Sequence, residues 1–359
     1  MKIQLVYTRK ENLRLSKPYT IAFKTIDLVE NGIIEIISDN GLTGLGAFNP
    51  SCEVMGETLE HALDATSAER LQWLIGKEIS DADGFNALLN EVTQRFSDSP
   101  SARIGLEIAL YDLFTQSQQM PLVQFLGQKI FSMPTSITIG IKGVQETLEE
   151  AKDYIDRKFK ILKVKLGVSP EEDIERLIKL REVYGYDVRI IIDVNQGYNY
   201  GQLLAFYKGI QGLHVELIEQ PLLQGKEDDM RRLPAEIKQL IAADESLINA
   251  KDATALAGPP AACGFYNIKL MKCGGIQEAL NIANIAQANN IGLMWGCNDE
   301  SIISITAALH IAFACANTRF IDLDGSLDLA EDVVTGGFIL KDGIMSIAGK
   351  SGLGVKKIG

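Results

Sequence analysis

The 359-residue chain predicts an α/β fold: a TIM-like (β/α)7β barrel with an α+β capping domain formed by the N-terminal segment and the C-terminal tail. Three features predict it. From about Ser132 to Asp322, eight short apolar runs alternate with helix-patterned segments. Five of those runs close on a charged residue: Lys165, Asp193, Glu219, Asp244 and Lys269. The segment before them lacks this alternation. Runs of this length are too short for buried helices and suit buried parallel strands. A charge ending such a strand is costly unless it has a partner or a chemical task.

In the N-terminal part, Ile33 to Ile37 and Leu42 to Phe48 flank Asn40-Gly41, a hairpin signal in which both turn residues take positive φ. Ser99-Pro100 reads as an N-cap and first-turn proline. Ala102, Leu106, Ala109, Leu110 and Leu113 then form one helical face. The pattern changes near Leu126-Gly127. The barrel strands follow as Thr135 to Gly140, Lys160 to Leu166, Val188 to Asp193, Val215 to Glu219, Leu240 to Asp244, Gly264 to Leu270, Gly292 to Gly296 and Arg319 to Asp322. Helices are expected at Glu146 to Arg157, Glu171 to Tyr184, Tyr200 to Gln211, Ile276 to Asn289 and Ser301 to Ala316. Eight strands with alternating helices imply the barrel. The tail, with Phe338 to Leu340 and the Asp342-Gly343 turn, has no ninth unit and is expected to return to the N-terminal part. The expected divisions are 1–128, 129–328 and 329–359.

Composition narrows the function classes. The formal charge is −12, with no basic cluster, which argues against nucleic acid and anionic membrane as partners. The longest apolar-rich stretch, Ser301 to Ala316, contains His310 and small polar residues and reads as a buried helix, not a membrane span. Met1-Lys2-Ile3-Gln4 lacks the apolar core of a signal peptide. Five scattered cysteines without a CxxC fit reduced thiols, and a cytoplasmic location is expected. The three histidines, His61, His214 and His310, suggest no zinc site or catalytic triad.

In a barrel of this kind the active site lies at the C-terminal ends of the strands. Asp193, Glu219 and Asp244 end neighbouring strands and are expected to converge on one point, where three carboxylates suit a hard cation, most simply Mg²⁺. Lys165 and Lys269 end strands two and six, on opposite walls. They suit a carbon acid held between two bases, one removing a proton from one face and the other returning it to the opposite face. Lys163 precedes Lys165 by two residues and points to the same side. Lys272 competes with Lys269 but lies beyond the apolar run. Asp322-Leu323-Asp324 places two acids on one side of strand eight, able to hold an ammonium group or simply to form a surface turn.

The segments Lys163-Val164-Lys165, Asp193-Val194-Asn195-Gln196-Gly197, Glu219-Gln220-Pro221, Asp244-Glu245-Ser246 and Asn267 to Gly275 resemble those of the enolase superfamily. Within it, the chain resembles the dipeptide epimerases of the muconate-lactonizing subgroup, chiefly through Asp322-x-Asp324. The likeness covers nearly the whole chain. It implies one Mg²⁺ per subunit on Asp193, Glu219 and Asp244, catalytic Lys165, Lys269 and Lys163, and supporting Asn195 and Glu245. It also implies a small-molecule dipeptide whose α-ammonium meets Asp322 and Asp324, with Thr138 and Asn298 beside the substrate. Such superfamily sites use a Lys or His base with Mg²⁺-stabilised enediolates. The leading expectation is an L-Ala-D/L-Glu-type epimerase of murein-peptide turnover, with Lys24 meeting the side-chain carboxylate where the best-known relatives carry arginine. Asn298-Asp299 and Glu53 favour a cationic or small polar side chain instead, so the side chain stays open. Alternatives are an o-succinylbenzoate synthase or muconate cycloisomerase, and a non-catalytic metal-dependent ligand-binding barrel. Relatives in the superfamily often form homo-oligomers, but no interface signature is legible here.

Overall fold

The computed structural model describes residues 1–21 and 24–358, with side chains described except those of 18–26 and of Glu53. Eight parallel strands form one sheet in sequential order: Ser136–Ile139, Ile161–Lys165, Arg189–Asp193, Val215–Glu219, Ile241–Ala243, Phe265–Ile268, Gly292–Trp295 and Thr318–Ile321. A parallel bridge between Thr135 and Ile321 joins the last strand to the first, so the sheet is a nearly closed barrel. Each expected strand is present within one or two residues. The helices Val144–Asp156, Pro170–Tyr184, Tyr200–Gly209, Ile276–Ala288 and Ile302–Ala314 follow the expected order. The short helices Glu227–Arg232, Ala235–Lys238 and Ala250–Ala257 complete the outer ring. They are too brief to leave a clear 3.6-residue period in the sequence.

Strand alternation sorts the barrel residues into two environments. Leu162, Val164, Ile190, Ile192, Ile218, Ile268 and Trp295 face outward into the core shared with the helices. Ile161, Ile191, Leu217, Ala242, Met294 and Phe320 face inward and form a separate apolar cluster against Phe265. That cluster is the floor of the barrel interior. It fixes what lies one inward step further along each strand.

The N-terminal part contains a three-stranded antiparallel sheet of Ile3–Ile21, Lys24–Ser38 and Thr43–Phe48. Four findings differ from expectation. The strand Ile3–Ile21 carried no clean alternation and was not anticipated. At the Asn40-Gly41 turn only Gly41 takes positive φ (82°), and the amide of Ser38 donates to Leu42 O at 3.0 Å. The loop is therefore longer than a two-residue mirror-image turn. Helix Pro100–Ser117 is buried almost all round, because it lies between this sheet and the barrel. Its N-terminus is not capped by Ser99. The buried Glu57 carboxylate accepts from both Ser99 Oγ and the Ser101 amide (2.9 Å).

The tail meets this layer directly. The Leu353 amide donates to Asp112 at 2.7 Å, and Lys357 Nζ donates to the buried Glu35 at 2.7 Å. Among the described residues no helix is long and apolar enough to cross a membrane, and all five cysteines are free.

His310, on the wholly buried face of Ile302–Ala314, accepts from the Val123 amide through Nδ1 at 2.8 Å. Burial drives its pKa down to about 3. A histidine depressed below its unfolded value of about 6.5 stabilises the fold fully above that pH. The contribution is lost as pH falls toward the folded value, because the unfolded chain then binds the extra proton. The stability difference between the parent chain and His310→Gln should be constant above pH 7. It should shrink by about 1.4 kcal/mol per pH unit between pH 6 and 4 in urea unfolding; a flat difference would show that His310 does not titrate in this way.

Candidate active site

One inward step above the apolar floor, the side chains change from hydrocarbon to charge. Ile161 is followed inward by Lys163 and Lys165, Ile191 by Asp193, Leu217 by Glu219, Ala242 by Asp244, Phe265 by Asn267 and Phe320 by Asp322. Register sets their neighbours: Thr138 pairs with Lys163, Lys165 with Asp193, and Asp193 with Glu219. Cα atoms paired in this way across a sheet lie about 5 Å apart, so the acids and lysines are within reach of one another by backbone geometry alone.

Lys163, only 3% exposed, is the hub. Its Nζ lies 2.7 Å from Asp322 Oδ2, 2.8 Å from Glu219 Oε2 and 3.3 Å from Asp193 Oδ2. Burial disfavours its charge, yet Asp322, Glu219 and Asp193 outweigh burial and hold its pKa well above the usual lysine value. Lys165 Nζ donates to Asp193 Oδ2 at 2.6 Å and to Asn195 Oδ1 at 3.0 Å. Asn195 has φ of 45°, a left-handed conformation asparagine tolerates, and its own amide donates to Asp193 Oδ1 at 2.9 Å. From the opposite wall, Lys269 Nζ donates to Asp244 Oδ2 at 2.9 Å and lies 4.0 Å from Glu219 Oε1. Strands two and six are four places apart in the eight-strand order, so Lys165 and Lys269 approach the acids from opposite sides.

The acids respond to these partners. Burial raises Asp193, but Lys165 and Lys163 overcome it and lower the carboxyl to about 2. Asp244 is lowered as well: burial opposes, and Lys269 and Lys272 prevail. Glu219 moves up to about 8, first through burial and then through Asp193. Glu245 is raised by burial, Asp244 and Asp193.

Lys163 Nζ links Asp193 to Glu219, and Lys269 Nζ links Glu219 to Asp244, so the three acids line one cluster. Among the described residues no three Asp, Glu, His or Cys side chains stand together as a metal-ligand group. Ammonium groups lie between the acids, which relieves the repulsion three adjacent carboxylates would otherwise feel. The donor set still fits a hard divalent cation. It is oxygen-only and buried. Glu219 Oε2 touches Lys163 but accepts no hydrogen bond, and buried Glu245 Oε2 accepts none either.

At strand eight, Asp322 Oδ1 accepts from Ser136 Oγ at 2.5 Å while Oδ2 meets Lys163. Asp324 Oδ2 accepts from the Thr138 amide at 2.8 Å. Burial, followed by Asp322 and Asp328, pushes Asp324 up to about 7. Asn298 donates its amide to the buried Glu300 at 3.0 Å and sits at the rim. The side chains of Lys24 and Glu53 lie outside the described residues.

Four contributors escaped the sequence reading. Asn267 Nδ2 donates to Glu219 Oε1 at 2.8 Å. Gln220 Oε1 accepts from the Asp244 and Ser246 amides at 2.9 and 3.2 Å. Lys272, set aside as a competitor of Lys269, donates to the Asp244 carboxylate and to Asp244 O at 2.5 Å. Ser136 is the fourth. The inward period of two points to Asn267 and Ser136; Gln220 and Lys272 lie just past strand ends, where that period stops.

A barrel carrying lysines on opposite walls around buried acids is built as an enzyme site, and the relatives of this chain place it in the isomerase class. The chain belongs to the mandelate racemase / muconate lactonizing enzyme family: its N-terminal domain model matches residues 3–127, and an enolase C-terminal domain-like model matches 146–357. The chain is 49% identical to an L-Lys-D/L-Arg epimerase of Methylococcus capsulatus over 99% of each chain. It is 48% identical to an L-Lys-D/L-Arg epimerase of Desulforapulum autotrophicum over the whole of both. A crystal structure of dipeptide epimerase from Methylococcus capsulatus, complexed with Mg and the dipeptide L-Arg-D-Lys, superposes with a TM-score of 0.95, 49% identity and 99% coverage of each chain. Solved relatives are thus found with Mg²⁺ bound, the Methylococcus capsulatus dipeptide epimerase among them.

Mg²⁺ should stabilise the protein in proportion to RT ln(1 + [Mg²⁺]/Kd), about 2.7 kcal/mol at a hundredfold excess over Kd. Glu219→Gln or Asp193→Asn should remove most of that gain in urea unfolding. Equal Mg²⁺ stabilisation of parent and variants would place the ion elsewhere.

Proposed function

We propose that this protein epimerises the C-terminal residue of a cationic dipeptide of the Lys/Arg type by 1,1-proton transfer between Lys165 and Lys269. The observation that carries the chemistry is the pair of ammonium groups reaching one acid cluster from opposite walls. In this reading the substrate carboxylate lies at the acid cluster, with the α-carbon between the two lysines. One lysine, in its neutral form, takes the α-proton; the electron pair moves into the carboxylate, and the other lysine delivers a proton to the opposite face. Lys163, buried and held cationic, lies where it stabilises the negative charge that develops on the substrate. Mg²⁺ held by Asp193, Glu219 and Asp244, with Glu245 beside them, supplies further electrostatic stabilisation of that charge. Asn195 orients Lys165, and Asp322 and Asp324 receive the α-ammonium near Thr138 and Asn298.

The preference for a cationic dipeptide replaces the L-Ala-D/L-Glu expectation and rests on two supports. The relatives nearly half identical to this chain are named for lysine and arginine dipeptides. The rim is also acidic. Burial, then Asp299 and Glu150, pushes Asp328 up to about 6. Burial also raises Glu300 to about 7, with Asp299 adding to the effect. A cationic side chain entering there relieves repulsion that a glutamate side chain would increase. A lyase or cycloisomerase would give Asp322 and Asp324 no ammonium to bind.

In D₂O with Mg²⁺, L-Lys-L-Arg should gain one deuteron and epimerise. Lys165→Ala and Lys269→Ala should each slow epimerisation by about 10²–10⁴-fold; a wild-type rate in either would overturn the two-lysine mechanism. Specificity is separable. Asp328→Asn should lower kcat/KM for L-Lys-L-Arg by about threefold, roughly the 0.6 kcal/mol of one exposed charge contact, with a smaller effect on L-Ala-L-Ala. A parent enzyme that prefers L-Ala-L-Glu would restore the reading based on Lys24.

A further inference from the structure

The turn that carries Lys269 is gripped from outside the barrel. Residues 269 to 274 form a single closed helical turn: the amides of Lys272 and Cys273 donate to Lys269 O at 2.9 and 3.1 Å, and that of Gly274 to Leu270 O at 3.2 Å. Displacing one end therefore displaces the other. Helix Pro100–Ser117 meets this turn, and the first residues of helix Ile276–Ala288 that follows it, through residues four apart, which share one helical face. Arg103 donates to Gly274 O and to Cys273 O, the latter at 3.4 Å. One helical turn later, Glu107 accepts from the Ile276 and Gln277 amides at 2.6 and 3.1 Å. Two turns after Arg103, the Tyr111 hydroxyl accepts from Gln277 Nε2 at 2.6 Å.

The approach is close enough to require glycine. Gly274 has φ of 70°, and a Cβ there would lie 2.5 Å from Pro100 Cβ; a Cβ on Gly275 would lie 2.7 Å from Glu107 Oε1. Lys272, on the same turn, reaches Asp244 O at 2.5 Å and Asn267 O at 3.2 Å. Lys165 is held from within the barrel instead: its Nζ donates to Asp193 and Asn195, and its carbonyl accepts from Arg176 of the barrel helix Pro170–Tyr184 at 3.4 Å.

We propose that Arg103 and Glu107 are positioning residues that index Lys269 from the capping helix, so that the cap sets one proton-transfer face and the barrel sets the other. The inference rests on the two-lysine reading above. It predicts a sided defect that general loosening of the fold would not produce.

The test is α-proton exchange of each epimer of L-Lys-Arg in D₂O at saturating Mg²⁺. Exchange with retention needs a single lysine: the C–H bond breaks, the electron pair stays on the substrate, and the same lysine, after exchange with solvent, returns a deuteron. Epimerisation needs both lysines. Lys269→Ala and Lys165→Ala define which epimer each lysine serves. Arg103→Ala and Glu107→Ala should slow epimerisation by about tenfold or more, as expected for sub-ångström misplacement of a base. They should slow retention exchange equally on the Lys269 face and leave the Lys165 face within about twofold. Glu107→Gln, which keeps one acceptor oxygen, should recover part of the loss. Parallel loss on both faces, or no loss, would overturn the inference. Absence of exchange in the parent enzyme, or Lys165→Ala and Lys269→Ala silencing the same face, would instead overturn the two-lysine reading. Should Glu107→Ala fail to fold, Arg103→Ala carries the comparison.

Discussion

The structure depends on a layer of buried charge seated on an apolar floor. Each ion in such a layer costs several kcal/mol in lost hydration unless partners surround it. Here four ammonium groups, Lys163, Lys165, Lys269 and Lys272, interleave with the carboxylates of Asp193, Glu219, Asp244 and Asp322. The interleaving follows from strand register, because each lysine strand adjoins an acid strand or faces one across the interior. Neutral side chains fill the remaining valences: Asn267 on Glu219, Asn195 on Lys165, Ser136 on Asp322. Removing any one charge takes a neutralising contact from its buried partners, so these residues constrain one another as packing constrains the floor below.

This dependence explains which parts of the site were legible in the sequence. A charge closing a run of isoleucines and valines is conspicuous, and the period of two says which way it points. Lys163, Lys165, Asp193, Glu219 and Lys269 are therefore readable without a structure, and so is the barrel that repeats them. Asp244 is readable by the same rule although its strand ends one residue earlier. Lys272 is less legible because it lies past its strand, where alternation no longer gives direction; a short helical turn brings it back onto Asp244. Strand order brings the acids near one another but leaves their side-chain torsions open, and the ammonium groups between them decide the latter.

Beyond the barrel, the sequence was less informative for a related reason. Ser99 has the composition of a helix cap, yet a residue more than 40 positions away supplies the cap, and no local pattern encodes that. In helix Pro100–Ser117 the apolar period marks one face and says nothing of the small and polar positions. They are buried because two layers enclose the helix. The same enclosure lets it touch the barrel at Gly274 and Gly275, which links the cap to the chemistry of strand six.

The contrast between inner and outer acids bears on what the site accepts. Asp193 and Asp244 are held below the usual carboxylate range because lysines surround them. Asp324, Asp328 and Glu300, toward the rim, are driven upward because burial and neighbouring acids act on them with too little positive charge nearby. Acids in that condition favour any process that brings a cation to them, by protonation or by binding. A ligand with an α-ammonium and cationic side chains supplies that charge at several points, whereas its single carboxylate is drawn to the layer where the lysines are. The polarity of the proposed cationic dipeptide is thus matched by a polarity already built into the barrel mouth, positive charge embedded below and negative charge above. Orientation follows from the same gradient, since a dipeptide entering backwards would set its carboxylate against the acidic rim and its ammonium among the lysines.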